Sequence, residues 1–281
     1  MKRWLPRSLF LACVLLLATF TAMACGGEEE EKGGATPGAG AAVPELGDGT
    51  LQVLSDIAYA PIEFYEAGSN QAKGLDVDLA KALAERLDVK VEFINTGFDG
   101  IIAALQAKDG DVIMSAMTVT PERQAEIDFI PYVNVGTGIL VTAGNPKEIA
   151  KLEDLCGLTV AVQEGTIQQD MLTELNAGAC SDNKIDIVTF DQNPLAVEEL
   201  RVGGADAVLA DFPVALNDAN QSEGKLEVVS EQFQAAPYGI GLRKGSTALK
   251  SALEDALQEI KDDGTYASIL KDWHLESAAL E

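Results

Sequence analysis

Gly74-Leu75-Asp76-Val77-Asp78-Leu79-Ala80-Lys81-Ala82-Leu83-Ala84-Glu85-Arg86-Leu87 runs directly into Asp88-Val89-Lys90-Val91-Glu92-Phe93-Ile94, and two periodicities meet there. Leu79, Leu83 and Leu87 recur every four residues, one face of a helix, whereas Val89, Val91 and Phe93 alternate as in a strand. The pattern extends both ways. Residues 51–54 read as a strand, 101–107 as a helix and 112–116 as a strand. A second series follows, with strand-like runs at 158–162, 185–190 and 207–210 interleaved with helix-like runs at 168–175 and 195–202. Residues 238–242 then read as a strand, and Leu249, Leu253, Leu257 and Ile260 mark a helical tail. Such alternation predicts an α/β fold with a largely parallel sheet, and roughly 235 ordered residues suffice for two lobes.

The N-terminal end reads differently. Lys2, Arg3 and Arg7 precede an apolar run at residues 9–20 that is short for a membrane span, the layout of a secretory signal peptide over residues 1–24. Thr21-Ala22-Met23-Ala24-Cys25 resembles the lipobox of bacterial lipoproteins, with Ala22 where leucine is usual, and Ala22-Met23-Ala24 also fits an ordinary cleavage site. Both readings start the mature chain at Cys25, lipidated in the first and simply secreted in the second. Residues 25–47, rich in glycine and glutamate, have too little apolar bulk for a core and are expected to form a flexible tether.

Removing Lys2, Arg3 and Arg7 with the leader leaves 17 basic residues against 45 acidic ones. So acidic a surface argues against nucleic-acid binding. Cys13 leaves with the leader and Cys25 is the processing site, so Cys156 and Cys180 remain as a pair in an oxidising compartment and are expected to be bridged. One histidine, His274, and no Cys-x-x-Cys give no metal site, and no cofactor motif is present.

In open α/β sheets, ligands gather where strands end and loops lead into helices. Asp56 and Tyr59 follow the first strand, Phe98 the second, and Ser115, Ala116 and Thr118 the third. Thr120 and Pro121 begin a helix that places Arg123 in its opening turn, which reads either as a carboxylate site or as a surface ion pair. Gln163-Glu164-Gly165-Thr166-Ile167 reads as an anion-binding turn or a plain strand-to-helix connection. Asp211 is either the counter-charge for an ammonium group or the cap of the next helix; Asp56 either faces a ligand or only shapes its turn. Tyr59 and Phe98 either pack in the core or sandwich a ligand.

Gly74 to Ala84, then Phe98-Asp99-Gly100, Thr118-Val119-Thr120-Pro121-Glu122-Arg123, residues 129–132, Gly165-Thr166, residues 205–211 and Asp263-Gly264-Thr265-Tyr266 resemble, in order, the family 3 extracellular solute-binding proteins, the amino-acid receptors of ABC importers. The resemblance covers nearly all of residues 50–275. It implies a two-lobed periplasmic-binding-protein fold of type II, with lobe 1 from residues 48–138 plus 238–275, lobe 2 from 139–237, and two hinge crossovers near 136–141 and 236–241. Arg123 would hold the ligand's α-carboxylate with Thr118 and backbone donors around Thr166 and Ile167. Asp211 would hold the α-ammonium with Ser115, Tyr59 and Phe98 would flank the ligand, and Asp56 would face its side chain. Ile167 and Ala116 stand where relatives often carry a hydroxyl.

These features predict a monomeric receptor for a free polar amino acid, basic or glutamine-like, that closes by hinge motion and delivers it to an ABC transporter permease. It would be periplasmic, or held at the outer face of the cytoplasmic membrane by lipid on Cys25. An enzyme of the dehydratase type on the same fold is disfavoured, because the sequence shows no nucleophile–base pair. A secreted sensor for a separate signalling partner stays open; a receptor ectodomain would carry a membrane helix, and residues up to Glu281 supply none.

Overall fold

The computed structural model describes residues 43–280. The expected leader, the Cys25 processing site and most of the expected tether lie outside them. Val43 and Leu46 are buried against the core, 4% and 2% exposed, so the packed chain begins inside the stretch expected as tether. Two apolar side chains flanking the short turn Pro44–Leu46 suffice to anchor it.

The strands and helices follow in chain order: β1 (Thr50–Ser55), β2 (Ala58–Tyr59), β3 (Glu63–Tyr65), β4 (Ala72–Lys73), α1 (Leu75–Arg86), β5 (Lys90–Asn95), α2 (Ile101–Ala107), β6 (Val112–Ile113), α3 (Pro121–Glu126) and β7 (Ile127–Thr142). Then come β8 (Thr159–Gln163), α4 (Ile167–Ala177), β9 (Asp186–Phe190), α5 (Asn193–Arg201), β10 (Ala207–Asp211), α6 (Phe212–Gln221), β11 (Leu226–Val228), β12 (Phe233–Arg243), α7 (Thr247–Asp262) and α8 (Thr265–Asp272). Among the described residues the main sheet has the order β5-β1-β6-β12-β7-β10-β8-β9, with β11 on β7. The alternating series read from the sequence form its two ends, where β1 pairs with β5 and β6, and β8 with β9 and β10, all in parallel.

Two long strands join the ends. β7 pairs antiparallel with β12 over residues 127–137 and then with β10 over 137–141, so it passes from one half to the other without a break. The β7–β12 register shifts between Phe233 and Ala236 and between Tyr238 and Gly239, where both strands cross. Such irregularities bend and twist a ladder locally. The 16-residue β7 shows no alternation because residues 127–142 are almost continuously buried, being covered on both faces.

Helices cover both faces in each half. In β10, Val208 and Ala210 pack toward Ala196, Val197 and Leu200 of α5, whereas Ala207 and Leu209 face the opposite cluster with Leu172 of α4. In α1, Leu79 and Leu83 are 1% exposed, which the four-residue spacing requires. Truncating either to alanine would cost about 2–5 kcal/mol. The expected strand 112–116 is only β6, two residues long, because Ala116 adopts a left-handed backbone (φ 48°) and turns the chain away.

Cys156 and Cys180 form a disulfide, with their Cα atoms 5.1 Å apart. It ties the turn Leu152–Leu155 to the end of α4 across a separation of 24 residues. Thiol titration of the unfolded, unreduced protein without its leader is expected to find neither cysteine free, and reduction to lower the unfolding free energy by about 3–4 kcal/mol. Two reactive thiols before reduction would contradict the bridge.

Candidate functional site

The strand ends converge on a narrow cleft between the halves of the sheet. Its walls carry Asp56, Tyr59, Glu63, Phe98, Ser115, Ala116, Thr118 and Arg123 from one half, and Gln163, Thr166, Ile167, Gln168 and Asp211 from the other. Ten of the residues singled out from the sequence therefore share one site. The eleventh, Gly165, borders it through its backbone.

Arg123 is placed as the sequence suggests. Thr120 caps α3, its hydroxyl accepting from the Arg123 N–H at 3.2 Å, with Pro121 in the first turn. The guanidinium lies 5.4 Å from the Phe98 ring centroid and donates to the Thr118 carbonyl at 2.8 Å and the Gly165 carbonyl at 3.0 Å. The last bond spans the cleft. Stacking on an aromatic face and fixed carbonyls hold the fork in place.

The expected backbone donors around Gly165 need one correction. The Gly165 N–H donates to Gln169 Oε1 at 2.8 Å and is spent within the turn. The Thr166 hydroxyl caps α4, accepting from the Gln169 N–H and donating to the Gln163 carbonyl at 2.7 Å. The opening N–H groups of α4, which begins at Ile167, lack intrahelical acceptors and are the donors this turn has left. Gly165 itself must be glycine: φ is +75°, and a Cβ would meet the Asp99 Cα at 3.0 Å.

Asp211 stands at the start of α6 but makes no side-chain cap. Its carboxylate accepts from Tyr59 Oη at 3.1 Å and Gln168 Nε2 at 2.9 Å, and its N–H donates to Tyr59 Oη. Tyr59 thus bridges the cleft rather than simply packing. Burial pushes the Asp211 carboxyl up to about 6, while its hydrogen bonds and the Arg123 charge pull the other way.

Asp56 is buried at 3% exposure, and its carboxylate bonds no backbone turn. Gln163 Nε2 donates to it at 2.7 Å and Gln192 Nε2 at 3.3 Å, both from the opposite half. Burial raises its pKa against these bonds, and the charge on Asp99 adds to the rise. The carboxylate read as facing a ligand or shaping its turn thus has two amide partners instead of its own backbone.

Three polar groups not singled out from the sequence shape the site, Glu63, Gln168 and Gln192, and a fourth, Gln163, was read only as the first residue of the turn 163–167 with no role of its own. Gln163 ends the apolar strand β8, and a lone polar residue at a strand's C-terminal end is the signal that would have found it. Glu63 had no such signal, because it is delivered by the small antiparallel sheet β2-β3-β4. It is 1% exposed, and burial pushes its carboxyl well above the usual range, with Asp76 adding repulsion.

Behind the cleft, the fully buried Asp76 at the start of α1 accepts from the Ala116 N–H at 2.9 Å and from Tyr132 Oη at 2.7 Å. These bonds hold the left-handed Ala116 and with it the Ser115–Thr118 wall. Burial outweighs them and raises Asp76 to about 7.

Residues 51–276 match the family model described as bacterial extracellular solute-binding proteins, family 3. The chain is 34% identical over 226 residues to the L-cystine-binding protein TcyJ of Escherichia coli (strain K12), covering 80% of this chain and 82% of that one. It is 32% identical to the probable histidine-binding protein of Neisseria gonorrhoeae, covering 96% and 94%. Among solved structures, an ancestral arginine-binding protein bound to arginine superposes with a TM-score of 0.76 at 40% identity, covering 80% of this chain and 98% of that one. The structure of an ancestral arginine-binding protein bound to glutamine gives 0.75 at 40% identity, covering 81% and 99%.

The raised Asp76 makes a testable contribution to stability. Its folded value lies above the unfolded value near 4, so the folded state binds the proton more tightly, and the contribution present below pH 4 is lost as pH rises toward about 7. Within that window the slope approaches about 1.4 kcal/mol per pH unit. Urea unfolding between pH 4.5 and 8 is expected to show a shallower fall for Asp76→Asn than for wild type; equal slopes would remove Asp76 from the account.

Proposed function

Because this chain belongs to the bacterial extracellular solute-binding proteins of family 3, we propose that it is a receptor that closes over a free polar amino acid, basic or glutamine-like, and delivers it to an ABC importer. The observation that carries the reading is the pairing of Arg123 from one half with Asp211 from the other in one cleft. A guanidinium beside a helix N-terminus suits an α-carboxylate, and a buried carboxylate suits an α-ammonium, so one zwitterion satisfies both. Thr118 and the opening of α4 at Thr166 and Ile167 support the carboxylate, Ser115 supports the ammonium, and Phe98 flanks the ligand.

With Arg123 and Asp211 engaged by the ligand backbone and Glu63 bonded to Ser115, Asp56 is the acid proposed to face the side chain. Its charge favours a cation or a donor there. The amides of Gln163 and Gln192 already satisfy part of its bonding, which admits an uncharged amide such as glutamine beside arginine, lysine, ornithine and histidine.

Closure is proposed to swing lobe 1, residues 48–138 plus 238–275, against lobe 2, residues 139–237, about the crossing of β7 and β12. A ligand that touches both halves stabilises the closed form, the state a transporter would read. Hydrogen bonds across the cleft in four residue pairs, Tyr59–Asp211, Gln163–Asp56, Gln192–Asp56 and Arg123–Gly165, support the two halves meeting at this surface. The receptor is proposed to be a monomer without enzymatic activity, anchored through lipid on Cys25. Turnover of a bound amino acid would overturn the non-enzymatic reading.

A thermal-shift screen of the twenty amino acids is expected to stabilise the protein with basic amino acids or glutamine; a response confined to glutamate, aspartate or aliphatic side chains would overturn that class. In calorimetry, Arg123→Ala and Asp211→Ala are each expected to weaken binding by about 2–5 kcal/mol, since each leaves one ligand charge unmatched in a closed cleft. Retained affinity in both would refute the assignment.

The ammonium requires ionised Asp211, whose carboxyl is raised to about 6. Affinity is therefore expected to be flat above that pH and to weaken by up to about tenfold per unit below it. A flat profile down to pH 5 would exclude this role for Asp211.

A further inference from the structure

Ser115 Oγ is held by two protein groups. It accepts from the Asp56 N–H at 2.9 Å and donates its proton to Glu63 Oε1 at 3.1 Å. A serine hydroxyl has one donor and two acceptor sites, so these bonds leave a single lone pair. Ser115 is fully buried and lines the cleft that also presents the Asp211 carboxylate. The carboxyl of Glu63, carried on β3, has no other hydrogen-bond partner among the described residues, and its Oε2 is buried and unpaired. The ionised carboxylate has no proton to give, so with Glu63 charged the Ser115 bond runs only from the hydroxyl to Oε1.

We propose that Glu63 is a positioning residue of the amino-acid site: by taking the one proton of Ser115 it fixes that hydroxyl as an acceptor, so that the cleft recognises an α-ammonium and rejects a group that needs a donor at the same place. This rests on the amino-acid reading above and adds a residue that sets the polarity of its ammonium pocket. The role assigned to Glu63 is exerted through Ser115. An ammonium brings three donors, and the Asp211 carboxylate and the Ser115 lone pair are acceptors that face it. A 2-hydroxy acid with the same side chain brings one donor and leaves one acceptor unpaired, so the wild-type site discriminates against it.

The substitution Glu63→Gln keeps the shape and replaces an acceptor-only carboxylate with an amide that can donate to Ser115, which lets the serine proton turn into the cleft. The measurement is calorimetric affinity for L-arginine or L-glutamine, whichever wild type holds more tightly, and for the 2-hydroxy acid bearing the same side chain. Wild type is expected to prefer the amino acid, and Glu63→Gln to shrink that preference about tenfold or more. Ser115→Ala is expected to reduce the preference as well, and adding Glu63→Gln to it to change nothing further. A merely structural role for Glu63 would weaken both ligands alike and leave their ratio unchanged, which overturns the proposal. Should Glu63→Gln fail to fold by circular dichroism, Ser115→Ala decides alone, and an unaltered preference there overturns it. A wild-type protein that binds neither amino acid would instead refute the amino-acid reading itself.

Discussion

The Asp76 carboxylate is the constraint on which the site depends. It sits at the first turn of α1, fully buried, and its two oxygens take the Ala116 N–H and the Tyr132 hydroxyl. One side chain thereby joins a helix, the loop that ends β6 and the strand that crosses between the halves. Gly74 makes this possible. Its φ of +132° and the approach of the Ile62 carbonyl, which a Cβ would meet at 2.1 Å, let the Asp76 N–H bond that carbonyl at 3.0 Å. The α1 start is thus locked to the segment preceding Glu63, and the two walls built by β3 and by Ser115–Thr118 share one foundation.

From that foundation the cleft inherits an excess of acid. Asp56, Glu63 and Asp211 line it, and Arg123 is the one lysine or arginine among its lining residues. Buried carboxylates at this density raise one another, as the repulsion of Glu63 by Asp76, Asp56 and Asp211 shows. The site tolerates them through neutral donors, with amides from Gln163, Gln168 and Gln192 and hydroxyls from Tyr59 and Ser115. The bonds from Gln163, Gln192 and Tyr59 run between the halves, so part of what holds the acids also joins the two halves. Charge balance and closure are one physical problem here.

The elements legible in the sequence are those whose burial leaves a period. The leucines of α1 face one core, and the strand ends follow from the alternation of helix and strand. The long strand β7, the first half of β12 and the small sheet β2-β3-β4 were not legible. β7 is buried on both faces and so shows no alternation, and strands of two or three residues are too short to show any. The loss of Glu63 from the sequence reading follows directly, since its place depends on the hairpin that carries it. Gln192 is invisible for another reason: it reaches Asp56 across 136 residues of chain, a distance no local pattern encodes.

The sequence by itself determined the α/β class, the pairing of two cysteines, the helix start that aims Arg123, and the segments from which the cleft is drawn. Each is a local matter of periodicity, capping or the count of a residue type. Only the tertiary structure decided which alternative several residues take. Asp211 leaves its own helix uncapped, Asp56 bonds amides rather than its own turn, Tyr59 spans the cleft, and the Gly165 N–H is consumed inside its loop. A polar side chain leaving water must find partners, and whether those are its neighbours in sequence or groups on the far lobe is settled by what folding brings within hydrogen-bond distance.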